Sequence, residues 1–600
     1  MRTPPLQRWM VALIAASGCG DDGGSGDATS AASTGAETEA TSAADTTAAD
    51  TTAAASTTAA ESSSGIDPTT STSDSTTTGG EANELDDDAI ARIHMAVEQS
   101  LGSGFATGCQ VAIWRDGEVI YTEGFGTKDE AGNPVTSDTL FQIGSDTKKL
   151  TAATVLQLVD AGELTLDQPV GEVLPMLDLA ASPGHFDTTT VHDLLSHQSG
   201  LFDYTPWIEG PADGELAAVT YGRFAMNEYA MMPAGIAWNY SNPNFSLAAL
   251  VVEEVGGRSW PDVVIDDVVL PLGMTQTYAR RDDMLAVATD VASGFGPIYP
   301  GGIDTFDLLE AIVPDPPDWT TPAAQADHAF TRPAGLLWST ASDMARLGGF
   351  LIEGDPRVLS AESHAALVTG HVGFYPGVDP AELGYAYGVM QSRGFGASDG
   401  SFYDVPVLSH GGNTLSMTST FVLLPEQNVV VSVLANGANE DSTLIAAVAL
   451  EVAAEGRLPA PGEPYSPLQP PRDDLSVYAG TFTEPALGDV LIGFDGSDVT
   501  VEIPTLAALG VTVDPVMMPI YRDMFLLTIE GSPLDISFYD GTVPFEHGVN
   551  RSFVLERSLA PSRPTAPVTR ATPVTRATVD AWLRRATTPA PTWLPRLRMR

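Results

Sequence analysis

The sequence predicts an α+β fold, in which the two ends of one domain meet in an antiparallel sheet flanked by helices, followed by a small all-β C-terminal domain. Three observations predict it. Gln110–Arg115 and Glu118–Gly124 alternate apolar and polar residues around Asp116-Gly117, a strong hairpin signal. Thr418–Leu424 and Val429–Leu434 form a second strand pair around Pro425-Glu426, with helical patterns filling the interval. Residues 475–557 then carry short alternating runs, such as Val490–Phe494 and Val499–Ile503, separated by glycine turns.

Taken in order, the chain begins with what reads as an export signal over residues 1–19. Arg2 and Arg8 precede the apolar stretch Trp9–Ala16, and Ala16-Ser17-Gly18 leads into Cys19. The pattern predicts a bacterial lipoprotein signal with Cys19 as the lipidated residue, hence a membrane anchor and an envelope location. The alternative is a plain signal peptide and a periplasmic or secreted protein. Residues 20–86 are Thr, Ala, Ser, Gly, Asp and Glu with almost no large apolar side chain, a composition that predicts a disordered linker. Cys109, the only other cysteine, lies in an apolar run and is expected to be a buried thiol, so no disulfide is expected.

The main domain is expected over residues 87–458. Ala89–Leu101 reads as an amphipathic helix, and Asp86, Asp87 and Asp88 suit the positive end of its dipole. Leu150–Val159, Phe245–Val255 (ending at Gly256-Gly257) and Leu444–Ala454 are further helices. Residues 459–474 are a Pro-rich linker, and residues 475–557 the small β domain. Residues 558–600, with Arg557 before them, hold nine Arg against the single acid Asp580, and predict a disordered basic tail.

Composition narrows the function. The 600 residues carry a formal net charge of −50, with 78 Asp and Glu against 28 Lys and Arg. Such a surface repels phosphate backbones and argues against nucleic-acid binding. No apolar run approaches the ~18 residues that cross a bilayer.

The shortage of base is mostly a shortage of lysine, since Lys128, Lys148 and Lys149 are the only three. Arginine keeps its proton in proteins, whereas lysine can be brought to titrate near neutrality. Two of the three lie beside Ser145, in Gly144-Ser145-Asp146-Thr147-Lys148-Lys149. Residues three apart share a helix face, so Lys148 can receive the Ser145 proton, and the helix start offers N–H groups to an oxyanion. The bland alternative is a helix cap followed by two solvated lysines. Lys149 points to another face and is expected to be structural. Tyr240-Ser241-Asn242 adds a hydroxyl able to shuttle protons and an amide able to hold Lys148 and a substrate carbonyl. Ser409-His410-Gly411-Gly412-Asn413 adds glycines that let a substrate backbone approach a strand, with the Asn413 N–H as an oxyanion donor.

With these motifs in place, residues 88–455 resemble the serine β-lactamase and penicillin-recognising family, in the branch of class C β-lactamases, D-alanyl-D-alanine carboxypeptidases, D-aminopeptidases and related esterases. The resemblance rests on several blocks in order. They are Phe141–Ser145 with Lys148, Leu164–Val170, Val191–Leu201 (VHDLLSHQSGL), Tyr240–Asn242, Pro271–Met274, Ala334–Asp343 and His410–Gly412. It implies the β-lactamase/transpeptidase-like fold with a helical subdomain. It also implies Ser145 as nucleophile, Lys148 and Tyr240 as base and acid, and the Ser145 and Asn413 amides as oxyanion hole, with Asn242, His410, Gly411 and Gly412 along the substrate. No cofactor and no metal are implied. The expected partner is a small peptide or ester, with D-amino-acid peptides of the cell wall (peptidoglycan) as the leading class. Esterase or weak β-lactamase activity is the alternative, and a catalytically silent binding module the second alternative.

One departure bears on that choice. Class C β-lactamases carry Lys-Thr-Gly as the third motif, whereas this chain has His410-Gly411-Gly412 and no lysine to spare. That argues for a peptidase or esterase. Gly296–His328 is read as an insertion over the cleft. Other signals are set aside. Gly396-x-Ser398-x-Gly400 matches a nucleophile elbow but has no strand leading in and no helix following. His192 and His197 lack a third metal ligand at sensible spacing and are read as structural. Met231 and Met232 are read as core.

Overall fold

The computed structural model describes residues 83–558, apart from 103–105, 180–181, 204–214, 225–229, 297–317, 415, 438–441, 485–486, 540–544 and 551–552. Cys19, nearly all of the 20–86 linker, the 559–600 tail and most of the Gly296–His328 stretch lie outside the described residues. Of that stretch, Asp318–Thr320 pairs with Gly294–Gly296 as a short two-stranded sheet.

The main domain is built on an eight-stranded antiparallel sheet. Its order is Glu118–Gly126, Gly108–Arg115, Val429–Ala435, Thr418–Leu424, Phe402–Asn413, Met390–Gly396, Leu383–Tyr385 and Val372–Gly373. The strand nearest the N-terminus thus pairs with one near the domain's end, Cys109 opposite Ala435 and Arg115 opposite Val429. Both tight connections follow from local chemistry. Asp116 and Gly117 take positive φ of 50° and 93°, as a two-residue hairpin turn requires. Asn428, at φ 58°, closes the other turn after Pro425–Gln427.

Helices cover both faces of the sheet. Asp87–Leu101 and Ser442–Ala453 pack on one side, burying Ile93, Val97, Ile445 and Ala449 against Val111, Val431 and Val433. Asp86 caps the first of these helices, its carboxylate accepting from the Ala89 N–H at 2.8 Å. On the other side lie Ala341–Glu353 and the helical subdomain, whose centre is Thr147–Asp160 against Asn242–Gly256. The amphipathic-helix pattern is weak in these two because they are buried nearly all round. Cys109 is fully buried, and burial pushes its thiol up to about 12, so it is held as the neutral thiol.

The C-terminal region is a closed eight-stranded antiparallel barrel from Gly480–Glu484 to Phe553–Arg557, closed by Phe482 opposite Arg557. Its interior is filled by Tyr478, Phe482, Phe525, Phe538 and Phe545, which leaves it a packed core. It touches the main domain through Val549 and Val554, which pack with Met232 and Ala237. Ser398, in the set-aside Gly-x-Ser-x-Gly run, sits in a turn and donates to Glu451, not at the head of a helix.

Candidate active site

Ser145 lies in a short 3-10 turn, Gly144–Asp146, that runs directly into the Thr147–Asp160 helix. Two backbones meet there. Gly144 has φ +52°, and a Cβ on it would stand 2.4 Å from the Asn413 nitrogen. A Cβ on Gly412 would stand 2.1 Å from the Ile143 carbonyl oxygen. Only glycine at both positions lets the Phe402–Asn413 strand lie against the turn, and that contact brings the Asn413 amide to the start of the Ser145 helix.

Lys148 is fully buried one turn on. Its Nζ is 3.1 Å from Ser145 Oγ, 2.7 Å from Asn242 Oδ1 and 2.7 Å from the Ala334 carbonyl oxygen. Asn242 and Ala334 offer only acceptors in these contacts, so each takes one N–H from the amine. A neutral amine has two N–H bonds and one lone pair. With both hydrogens engaged, the lone pair faces Ser145 Oγ.

The orientation of Asn242 is fixed by a residue the sequence did not point to. Asp203 Oδ1 accepts from the Asn242 backbone N–H at 3.0 Å and from its Nδ2 at 3.2 Å. A carboxylate takes only donors, so Nδ2 faces Asp203 and Oδ1 faces Lys148. Asn242 is the first residue of the Asn242–Gly256 helix, which starts ahead of the Phe245 expected from the sequence pattern.

Burial brings Lys148 down from 10.5 to about 7. Asp203 opposes this, Lys149 adds to it by like charge, and Asp146 opposes it. Lys149 occupies a separate buried slot, with its ammonium on Asp146 and over the Phe421 ring. Burial pushes Asp146 up and Lys149 down, while their contact opposes both shifts.

Tyr240 closes the other side of Ser145, donating to Oγ at 2.8 Å. The Lys148 Nζ lies 4.8 Å from the centre of its ring. His410 is buried behind the site. Its Nδ1 donates to the Gly411 carbonyl at 2.7 Å, so its Nε2 accepts from the Tyr385 hydroxyl at 3.1 Å. Burial and the nearby Lys149 and Lys148 hold it well below the usual histidine range. It is therefore a neutral group that fixes the strand and Tyr385.

The structure thus gathers Ser145, Lys148, Tyr240, Asn242 and the His410–Asn413 strand around one hydroxyl. Sequence reasoning missed Asp203, Tyr385 and the Ala334 carbonyl. Ala334 belongs to one of the resembling blocks, but a backbone acceptor has no side-chain signature. His192 and His197 do not converge: His192 bonds the Tyr387 hydroxyl at 2.7 Å, and His197 packs on Tyr240. Among the described residues no cluster of three or more His, Cys, Asp or Glu is arranged to hold a metal ion.

A family profile described as Beta-lactamase matches residues 94–454. The chain belongs to the β-lactamase family of serine hydrolases. Among its relatives is penicillin-binding protein 4 of Amycolatopsis lactamdurans, 28% identical over 62% of this chain and 92% of that protein. Another is a D-aminopeptidase of Gluconobacter oxydans, 32% identical over 36% of this chain and 41% of that protein. The chain therefore spans less than half the length of that second relative. Among solved structures, SurE with D-Leu is 20% identical, with a TM-score of 0.52 over 79% of this chain and all of that one. That likeness concerns the fold, and it extends beyond the span matched by the β-lactamase profile.

Proposed function

We propose that the protein hydrolyses amide or ester bonds through an acyl-enzyme on Ser145, with D-amino-acid-containing peptides as the substrate class. One observation carries the mechanism: Lys148 Nζ lies 2.7 Å from two acceptors, Asn242 Oδ1 and the Ala334 carbonyl oxygen, and 3.1 Å from Ser145 Oγ, so a neutral amine that gives its hydrogens to the first two keeps its lone pair for the Ser145 proton. As Oγ attacks the substrate carbonyl carbon, its proton passes to Lys148. The oxyanion faces the Ser145 and Asn413 amides. Tyr240, hydrogen-bonded to Oγ, hands a proton to the leaving amine or alcohol and is reprotonated from Lys148. Water then attacks the ester carbon, gives its proton back through the same pair, and releases the acid with Ser145 restored.

The third motif refines the substrate. His410 is neutral and engaged by Tyr385 and Gly411, so that strand supplies no cation for a free carboxylate at the scissile end. This favours aminopeptidase, amidase or esterase action over carboxypeptidase or β-lactamase action, and the D-aminopeptidase relative supports the same choice. An envelope location with Cys19 lipidated belongs to this proposal and is supported by the pattern of residues 1–19.

The test is labelling by a fluorophosphonate, then turnover of D-aminoacyl amides, p-nitrophenyl esters, D-Ala-D-Ala peptides and nitrocefin. The expected result is an adduct on Ser145 and highest kcat/KM on D-aminoacyl amides or esters. A folded protein with no adduct would overturn the acyl-enzyme. Preference for D-Ala-D-Ala peptides or nitrocefin would overturn the substrate class.

A further inference from the structure

We propose that His197 is a positioning residue for proton transfer, holding Tyr240 at Ser145 by binding the chain on both sides of it. This rests on the role given to Tyr240 above. His197 is fully buried and has φ +59°, a left-handed conformation uncommon outside glycine that histidine adopts more readily than most residues. Its carbonyl oxygen accepts from the Asn239 N–H at 2.8 Å. Its Nδ1 faces the Ser241 N–H at 3.2 Å and the Asn244 Nδ2 at 3.0 Å. The residues immediately before and after Tyr240 are thus tied to one histidine.

The tautomer follows from the neighbours. Ser199 Oγ donates to Asn244 Oδ1 at 2.6 Å, so the Asn244 Nδ2 is the end that faces His197. Nδ1 then receives two N–H donors and carries no proton itself, which places the ring proton on Nε2. The ring also packs on Tyr240 at 4.3 Å between centroids, and on Tyr385 at 4.9 Å. Four constraints therefore converge on the tyrosine: two backbone ties, the link through Asn244 in the helix start, and a ring contact. Ser145 Oγ lies 2.8 Å from the Tyr240 hydroxyl, and small displacements at that distance cost rate steeply.

Two substitutions separate the parts. Asn places Oδ1 where His has Nδ1 and tolerates positive φ, so His197→Asn keeps the acceptor and loses the ring contact. His197→Phe keeps the ring and loses the acceptor. Both are compared with Tyr240→Phe and with the two double variants, reading kcat, KM and folding by circular dichroism. The expected result is a fall in kcat of about 10- to 100-fold for His197→Phe, with KM within about threefold. His197→Asn keeps at least about tenfold more activity than His197→Phe. In the Tyr240→Phe background His197→Phe adds less than about threefold. Wild-type kcat in folded His197→Phe overturns the proposal, as does a loss that multiplies with that of Tyr240→Phe. Failure of both His197 variants to fold also overturns it, since the residue would then serve the fold and not the tyrosine. A Tyr240→Phe variant with full activity instead sinks the role of Tyr240 itself, so the two failures are distinguishable.

Discussion

The catalytic cleft and the barrel both take charge out of water, and they do it in opposite ways. At the barrel, Arg472 of the preceding linker grips Asp523 with Nε and Nη2 at 2.5 and 2.8 Å, and the Tyr478 hydroxyl adds a third donor at 2.6 Å. The cation is one that keeps its proton, and its carboxylate is in direct bidentate contact. In the cleft, Lys148 is more deeply buried but touches no carboxylate. Asn242 stands between it and Asp203, and its other partners are a carbonyl, the serine and the Tyr240 and Phe245 rings. A paired guanidinium stays charged at any working pH, whereas a lysine among neutral acceptors is driven towards neutrality. The difference is that between an ion pair and an amine able to give up and accept a proton near neutrality.

The comparison breaks most directly at the amine. Lys148→Arg puts a permanent cation where a lone pair is needed, and Ser145→Ala removes the nucleophile. Each is expected to lower kcat/KM by about 10²–10⁴ or more, measured on the best substrate of the panel, with the fold retained in Ser145→Ala. On the proposed mechanism the neutral amine is the reactive form. kcat/KM should therefore rise through a pH of about 7 and fall tenfold per unit well below it. A profile flat from pH 5 to 9 would show that Lys148 does not take the proton.

How much of this is legible in the sequence depends on whether the signal is local. Ser145 and Lys148 are three residues apart on one helix, so their meeting follows from helical spacing alone. Tyr240 and Asn242 are about 95 residues further on; their side-chain chemistry marks them as candidates, but nothing in their spacing ties them to Ser145, and their roles beside it are what the resemblance implies. Asp203 and Tyr385 carry no pattern at all, because their importance comes from facing Asn242 and His410 across the fold. The strands of the barrel are legible from alternation, but its closure depends on Phe482 finding Arg557, a pairing with no local trace. His197 was read as structural from the lack of metal-ligand spacing, and its place beside Tyr240 became visible only in three dimensions.

A sharper form of the comparison is thermodynamic. Lys148 has a folded value near 7 against an ordinary 10.5, so between those values the unfolded chain holds the proton that the folded chain gives up. This group's contribution to stability therefore rises with pH across that window and is least favourable below it. Lys148→Met removes the dependence but leaves Asn242 and Ala334 without a donor. Relative to wild type, the Met variant should gain as pH falls from 10 to 7, by up to about 1.4 kcal/mol per pH unit in denaturant titrations. Asp523→Asn in the barrel should show no such slope. It should cost about 1–3 kcal/mol at every pH between 6 and 9, with kcat unchanged.

The smallest expected effect asks whether the two regions are independent at all. Val549 and Val554 of the barrel pack with Met232 and Ala237, and the same chain segment runs on through Trp238 to Tyr240. Trp238 in turn lies against Phe374, whose carbonyl accepts from the Tyr539 hydroxyl of the barrel at 3.5 Å. The barrel therefore leans on the segment that carries the proposed proton shuttle. Val554→Ala removes two methyl groups from that contact, a loss of about 1.5 kcal/mol of packing. If the barrel props the tyrosine, kcat should fall two- to fivefold while the Arg472–Asp523 pair stays as it was. If kcat is unchanged and only stability falls, the barrel and the cleft are neighbours without being coupled.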